Sequence, residues 1–151
     1  MTYQLVFEHN PRPEDIQILG DAIMKQATKK KGFNPLDFFA FFIRDQHNTI
    51  VGGCNGNTLY GCLYIDQVWV SDSLRNQGFG TQLVQAAIQY GKDNGCTFAA
   101  VNTMDWEALG FYQKLGFTIE FERHGFLNNS VFYFLRKEFL STQENGNKTP
   151  F

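Results

Sequence analysis

The sequence predicts a single α/β domain, and three observations carry that prediction. The chain has 151 residues, a length that suits one domain. Strand-like and helix-like patterns alternate from about residue 3 to residue 138, and no repeat or linker interrupts them. In the middle, a long strand, a glycine-rich turn and an amphipathic helix follow one another. We therefore expect one domain over residues 1–140 and a frayed polar tail over 141–151.

The first half of the chain predicts four strands and one helix. Residues 3–9 have the pattern of a first strand. Pro13, followed by Glu14 and Asp15, predicts the start of a helix, and the lysines at 29–31 suit its negative end. Residues 38–44 and 49–53 predict a hairpin. The glycine- and asparagine-rich stretch 52–57 predicts a turn before a long fourth strand over 59–71.

The second half predicts two helices and three further strands. The amphipathic helix after residue 81 would end near Gly95, and its apolar face is formed by Leu83, Val84, Ala87 and Ile88. Residues 97–103 predict an apolar fifth strand, buried on both faces. Residues 107–115 predict a short helix that ends at Gly116, and 117–124 and 131–138 predict the last two strands.

Composition excludes several classes of protein. The 13 Lys+Arg against 15 Asp+Glu give a net charge of −2, which argues against a nucleic-acid-binding protein. No run approaches the roughly 20 apolar residues of a membrane span, and the N-terminus lacks the features of a signal peptide. Cys54, Cys62 and Cys96 form no C-x-x-C pair, so neither a disulfide framework nor a metal site is predicted. We expect a cytoplasmic protein without a metal.

The pattern Arg75-x-x-Gly78-x-Gly80 between a strand and a helix predicts an anion site. Glycines allow a tight turn with inward-facing N–H groups, and a helix N-terminus adds its positive dipole end. A dinucleotide fingerprint would need a third small residue where Leu83 stands, and a Walker A loop would need a lysine after Gly80. A plain structural turn remains an alternative on the glycines alone.

The same pattern resembles the coenzyme A signature R/Q-x-x-G-x-G/A of the GNAT family, the N-acetyltransferases. Residues 110–117, Gly-Phe-Tyr-Gln-Lys-Leu-Gly-Phe, are similar to the F-Y-x-K-L-G-F block of that family. The order of predicted elements, β-α-β-β-β-α-β-α-β-β, also matches the family. The resemblance implies a mixed, mostly antiparallel sheet of about seven strands, splayed between the fourth and fifth, with three to four helices.

The resemblance also implies acetyl-CoA as the cosubstrate. The pantetheine arm would lie between the fourth and fifth strands and pair with the backbone near Trp69, Val70 and Ser71. The pyrophosphate would rest on the loop formed by Arg75, Asn76, Gln77, Gly78, Phe79, Gly80 and Thr81. Asn102 would bond the pantetheine arm, or simply end the fifth strand.

Tyr112 is implied as the general acid that protonates the departing thiolate; its alternative role is packing on an apolar helical face. Asp66 is the candidate base, because relatives often place an acid on that strand, and strand alternation puts it on the face of Tyr64, Val68 and Val70. Its alternative is a structural carboxylate, and Asp105 and Glu107 are other candidates for the base. Asp105 could instead lie in the N-cap region of the short helix.

The expected reaction is direct transfer of an acetyl group to a primary amine, on a small molecule or a peptide, by a monomer or homodimer. A coenzyme-A-binding regulatory module and an enzyme for longer acyl chains are the alternatives. The 16 phenylalanines are unusual for this length. Alternation puts Phe39 and Phe41 on one strand face and Phe38 and Phe42 on the other. We expect Phe33, Phe38 and Asp105 to contribute to the acceptor pocket.

Overall fold

The computed structural model describes residues 1–140, and the chain divides into two compact units. The first unit, Met1–Leu36, contains helix α1, Pro13–Lys31. Its proline start, its acidic first turn and its basic last turn agree with the sequence prediction. The helix ends at Gly32, whose φ of 73° is the left-handed conformation that glycine adopts readily. The predicted tail, 141–151, lies outside the described residues.

The second unit begins at Asp37 and contains a six-stranded sheet with two helices. Its strands are β1 Phe38–Arg44, β2 Ile50–Leu59, β3 Cys62–Val70, β4 Phe98–Met104, β5 Thr118–Arg123 and β6 Phe132–Glu138. Its helices are α2 Phe79–Asp93 and α3 Leu109–Lys114. The strand order is β1-β2-β3-β4-β6-β5, and β3 and β4 are the parallel neighbours in an otherwise antiparallel sheet.

Helices α2 and α3 pack on one face of the sheet and close a single hydrophobic core. Val84 of α2 and Tyr112 of α3 join the same buried cluster as Ile65 of β3 and Val101 of β4. The predicted apolar face of α2 is confirmed, since all four of its residues are buried. On β4, buried and half-buried residues alternate, so only one face is in the core, and the prediction of burial on both faces was wrong.

The strand predicted over residues 3–9 is not formed, and the sheet therefore has six strands among the described residues. An apolar alternation is a local signal, whereas a strand also requires a hydrogen-bonded partner. Sequence periodicity does not report whether that partner exists.

The turn predicted over 52–57 was also wrong, because β2 runs straight through it to Leu59. The chain turns instead at Tyr60 and Gly61, both with positive φ. Glycine is required within β2 for close approach rather than for a turn. A Cβ atom on Gly56 would collide with the Tyr64 carbonyl oxygen, and one on Gly53 would lie 3.0 Å from the Phe41 carbonyl oxygen.

Candidate active site

A gap opens between the two central strands. β3 and β4 pair from Cys62↔Phe98 to Ile65↔Val101 and no further. Beyond that point β3 continues to Val70 along β2, and β4 continues to Met104 along β6. The strands therefore diverge beyond Ile65 and Val101, as the family resemblance implied.

A β-bulge starts the divergence on the β3 side. Asn55 pairs with Gln67 and Gly56 pairs with Ile65, so Asp66 is an extra residue without a partner on β2. A bulge reverses the alternation of side chains beyond it. Leu63 and Ile65 face the core before the bulge, and Val68 and Val70 pack against it afterwards.

The bulge corrects the predicted placement of Asp66. Simple alternation put Asp66 on the face of Tyr64, Val68 and Val70, but the reversal separates Val68 and Val70 from Tyr64. The Asp66 carboxylate is exposed, next to the point where the gap begins. It helps to raise the pKa of Tyr64, after the larger effect of burial.

The backbone of β3 presents alternate residues to the gap. The Ser71 N–H donates to the Val51 carbonyl oxygen of the neighbouring strand at 2.9 Å, so Ser71 faces β2. Because hydrogen-bonding direction alternates along a strand, Trp69 also faces β2, whereas Val68 and Val70 turn their polar groups towards the gap. The sequence prediction named Trp69, Val70 and Ser71 as the backbone that faces the ligand, and it missed Val68. The hydrogen bond from Ser71 to Val51 identifies Val68, because it fixes which residues of β3 face β2 and which face the gap.

The glycine loop leads from the end of β3 into α2. Asn76 and Gly78 both have positive φ, 62° and 85°, and Gly78 is the N-cap of α2. No side chain caps this helix, so its first N–H groups are left to an external acceptor. The loop surrounds a cavity of about 300 Å³ that includes Arg75, Thr81 and Phe111. This is the geometry of an anion site at a helix N-terminus.

Arg75 and Gln77 are held against the loop by backbone oxygens. The Arg75 Nε donates to the Val70 carbonyl oxygen at 3.2 Å, and its guanidinium lies 3.4 Å from Asp72. The Gln77 amide donates to the Ser73 carbonyl oxygen. Arg75 thus connects the loop directly to the last residue of β3.

The start of α2 and helix α3 meet at the loop. A Cβ atom on Gly80 would lie 3.3 Å from the Phe111 ring, so glycine lets this ring pack against the helix backbone. Phe79, Gly80 and Thr81 are half-buried here. The motif around Arg75 and the block around Phe111 therefore lie against each other in the fold.

Tyr112 is 5% exposed and belongs to the same buried cluster as Ile65 and Val101, on the α2 and α3 face of the sheet. Its ring packs edge-on against Phe111 and Phe117, with centroids 5.1 and 5.5 Å away. Burial, then the charges of Cys54 and Glu107, raise the pKa of Tyr112 above its usual value. The residue has both the packing role and the protonated hydroxyl that an acid requires.

Asn102 is the first residue of β4 past the last pair with β3. Its side-chain Nδ2 donates to the Tyr64 hydroxyl at 3.4 Å, so this bond bridges the two strands where they separate. Asn102 and Tyr64 alternate with core-facing neighbours and lie on the sheet face opposite Tyr112.

Asp105 and Glu107 hold the backbone of the turn before α3. The Asp105 carboxylate accepts from the Val131 N–H at 3.2 Å, and Glu107 accepts from the Met104 N–H at 3.0 Å. α3 begins at Leu109 after Ala108, without a side-chain cap, so Asp105 is not its N-cap.

A second cavity of about 640 Å³ lies on the face of β1, β2 and β3 that is remote from α2. Phe38, Phe42 and Trp69 are exposed and line it, whereas Phe39 and Phe41 pack against the core on the other face. The predicted alternation of these phenylalanines is confirmed. Phe33 belongs to the first unit, and its part in an acceptor pocket stays a prediction.

The sequence matches the family described as Acetyltransferase (GNAT) family over residues 7–117, and the chain belongs to that family. It is 36% identical over 76 residues to Acetyltransferase Atu2258 of Agrobacterium fabrum (strain C58 / ATCC 33970), a match that spans 50% of this chain and 56% of the relative. The chain thus covers little more than half the length of that relative.

Solved structures share the fold. A protein from Agrobacterium tumefaciens described as an acetyltransferase has a TM-score of 0.80 and 25% identity, covering 91% of this chain and 100% of that one. A structure from Bacillus anthracis str. Ames, described as a streptothricin acetyltransferase in complex with acetyl coenzyme A, has a TM-score of 0.57 and 23% identity. That match covers 63% of this chain and 59% of the other, and it concerns the fold alone. No helix within residues 1–140 is long and apolar enough to cross a membrane.

Proposed function

We propose that this chain transfers an acetyl group from acetyl-CoA to a primary amine by direct attack within a ternary complex. The observation that carries the proposal is the gap beyond Ile65 and Val101, with the glycine loop after β3 and with Tyr112 in the same buried cluster as these two residues. A protein of the same fold binds acetyl coenzyme A. The sequence motifs for both parts of the site occur in one GNAT domain.

The loop from Arg75 to Thr81 would hold the pyrophosphate. The uncapped N–H groups of α2 supply hydrogen bonds to the phosphate oxygens, and Arg75 adds a positive charge. Val68 and Val70 would pair with the pantetheine arm through their backbone groups at the edge of the gap. Their N–H groups are also the candidates for polarising the thioester carbonyl, since the reacting group would lie beside them.

Tyr112 would donate a proton to the sulfur as the carbon–sulfur bond breaks. The amine nitrogen forms the new bond to the acetyl carbon, and the amine's surplus proton leaves to a base or to water. Because burial raises the pKa of Tyr112, its proton is fully present at neutral pH. The tyrosine regains its proton from solvent, so it is unchanged after each turnover.

Asp66 would take the amine proton. Its carboxylate is exposed and follows Ile65, where the gap begins, so it would be accessible to an amine that enters the gap. The other sheet face is covered by α2 and α3, so an acceptor would enter from the face of Tyr64 and Asn102. Asp105 is the weaker candidate, for the base and for acceptor binding, because its carboxylate already accepts from Val131.

A covalent acetyl-cysteine route has little support in this site. Burial raises the pKa of the Cys54 thiol to about 12 and is the largest of the effects that raise that of Cys62 to about 11. The thiolate is the nucleophilic form, so both side chains are poor nucleophiles at neutral pH. Direct transfer requires no such intermediate.

Thiol release from acetyl-CoA across a panel of primary amines tests this proposal. We expect free coenzyme A and N-acetylated amine to form in equal amounts, with residues 1–140 sufficient for activity. Binding of acetyl-CoA without thiol release on any amine would favour the regulatory module. Faster turnover with propionyl-CoA or butyryl-CoA would favour the longer-chain alternative. The protein is expected to act as a monomer or homodimer in the cytoplasm.

A further inference from the structure

The cavity on the β1–β2–β3 face has the composition of a ring-binding pocket. Its volume of about 640 Å³ falls within the range of small-molecule sites. Three exposed aromatic side chains, those of Phe38, Phe42 and Trp69, form its walls. None of the described residues that line it is charged.

Trp69 is the aromatic wall on which a flat group can stack. Phe42 pairs with Gly53, and Gly53 pairs with Trp69. The Phe42 ring lies over the glycine, since a Cβ atom on Gly53 would be 3.0 Å from the Phe42 Cδ1 atom. The Trp69 side chain next to it is 51% exposed, so its indole offers a surface for one flat group.

Two amides form the polar part of the floor. Asn55 and Gln67 pair across β2 and β3, two residue pairs further along from Gly53 and Trp69 and therefore on the same sheet face. The Asn55 Oδ1 is buried and has no hydrogen-bond partner among the described residues. An amide side chain offers an acceptor and donors in one plane, which matches the edge of a nitrogen heterocycle with an amino group.

Charge around the cavity favours a neutral ring. The Arg44 guanidinium lies 5.3 Å from the centroid of the Phe42 ring, so a cation already occupies that end. A second cation in the cavity would be repelled, whereas a neutral ring stacks on the remaining aromatic surface.

The cavity adjoins the gap. Gln67 and Trp69 line the cavity, and they alternate along β3 with Val68 and Val70, whose backbone groups face the gap. A ring stacked on Trp69 therefore lies within about one or two strand spacings of the proposed thioester position.

We propose that this cavity binds the acceptor through a planar, uncharged nitrogen heterocycle, of the size of a pyrimidine, whose attached amine reaches into the gap. This inference rests on the proposed acetyl transfer for the role of the amine. The binding of the ring itself does not depend on it, so the two can fail separately.

Binding is tested with cytosine as the probe and Trp69 as the reporter. The chain has two tryptophans, so a Trp106→Phe background leaves Trp69 as the sole source of indole fluorescence. We expect saturable quenching by cytosine, weakened about tenfold by Asn55→Leu and by Gln67→Leu, because each removes hydrogen bonds to the ring. The proposed ring-binding role would be wrong if cytosine gave no saturable quenching. It would also be wrong if the folded Asn55→Leu and Gln67→Leu variants were quenched as strongly as the Trp106→Phe background.

Turnover then separates the two proposals. We expect 4-(aminomethyl)pyrimidine to have at least about tenfold higher kcat/KM than cyclohexylmethylamine, and this preference to fall in Gln67→Leu. Because Gln67 is exposed, this variant tests the pocket even if Asn55→Leu fails to fold. Equal kcat/KM values for the two amines would contradict a preference for a nitrogen heterocycle, while acetyl transfer itself would still be supported. Cytosine binding without thiol release on any amine would support the pocket and contradict acetyl transfer.

Discussion

Ile65 and Val101 are the last pair of residues that hold β3 and β4 together. The bulge at Asp66 follows immediately on one strand, and Asn102 follows on the other. Both side chains of the last pair are buried in the core, at 0% and 1% exposure. The vertex of the gap is therefore fixed by packing, and the backbone beyond it is left open for a ligand.

Tyr112→Phe removes the hydroxyl and keeps the ring that packs against Phe111 and Phe117. We expect kcat to fall about 100-fold or more, the size of effect typical of a lost general acid, with little change in the Kd for acetyl-CoA. A thiol-release assay measures kcat, and isothermal titration calorimetry measures the Kd for acetyl-CoA. Tyr90→Phe is the matched control, since Tyr90 packs against Phe39 with centroids 5.0 Å apart and is remote from the gap. Unchanged turnover in Tyr112→Phe would leave the residue a packing role only.

Arg75→Gln tests the anion loop. We expect the Kd for acetyl-CoA to rise about tenfold, because one charge-assisted contact to phosphate is lost. Binding of S-acetylpantetheine, which has no pyrophosphate, should be unchanged, and high salt should reduce the difference for acetyl-CoA. Arg123→Gln, on β5, is the control for loss of an exposed arginine. An equal loss of affinity for both ligands would mean that Arg75 supports β3 through Val70 rather than binding phosphate.

Gly56→Ala tests the bulge that opens the gap. The new Cβ would meet the Tyr64 carbonyl oxygen, and backbone cannot give way as a flexible side chain does. We expect a loss of about 3 kcal/mol in the free energy of unfolding, measured by urea denaturation. Gly110→Ala is the comparison, because its Cβ meets nothing within 4 Å and the residue lies in α3. That variant should be neutral or slightly stabilising. Similar unfolding curves for the two variants would refute the close approach.

Deprotonation of Tyr112 should not lower kcat/KM at alkaline pH. Burial raises its pKa, so the phenol keeps its proton well above pH 9 and the acid form is not lost there. We expect kcat/KM to rise with pH up to about pH 10, as the amine acceptor loses its proton, without a fall in that range. A fall with a midpoint below pH 9 that disappears in a residually active Tyr112→Phe enzyme would contradict the raised pKa.

The glycine loop was easier to predict than some of the strands around it. The positive φ of Gly78 and the start of α2 depend on local backbone chemistry, which the sequence reports directly. The roles of Arg75 and Tyr112 stay predictions. The strand over 3–9 and the turn over 52–57 failed because pairing partners and close backbone contacts are set by the tertiary structure. Gly56 has the residue type of a turn, yet it lies within β2 opposite the bulge, where only glycine fits against the Tyr64 carbonyl oxygen.

The placement of Asp66 shows the same limit. A one-residue bulge reverses which face each later side chain occupies, and no local pattern in 62–70 reveals it. The partner strand decides it, through the register Asn55↔Gln67 and Gly56↔Ile65. Val68 was missed for the same reason, since the hydrogen bond between Ser71 and Val51 sets the direction of its backbone.

A crystal structure with acetyl-CoA bound tests the central claim most directly, through the distance from the thioester sulfur to the Tyr112 hydroxyl oxygen. We expect the pantetheine arm between β3 and β4 beyond Ile65 and Val101, with that distance at about 3–4 Å, within reach of proton transfer. A thioester outside the gap, or a sulfur separated from Tyr112 by another side chain, would contradict the account.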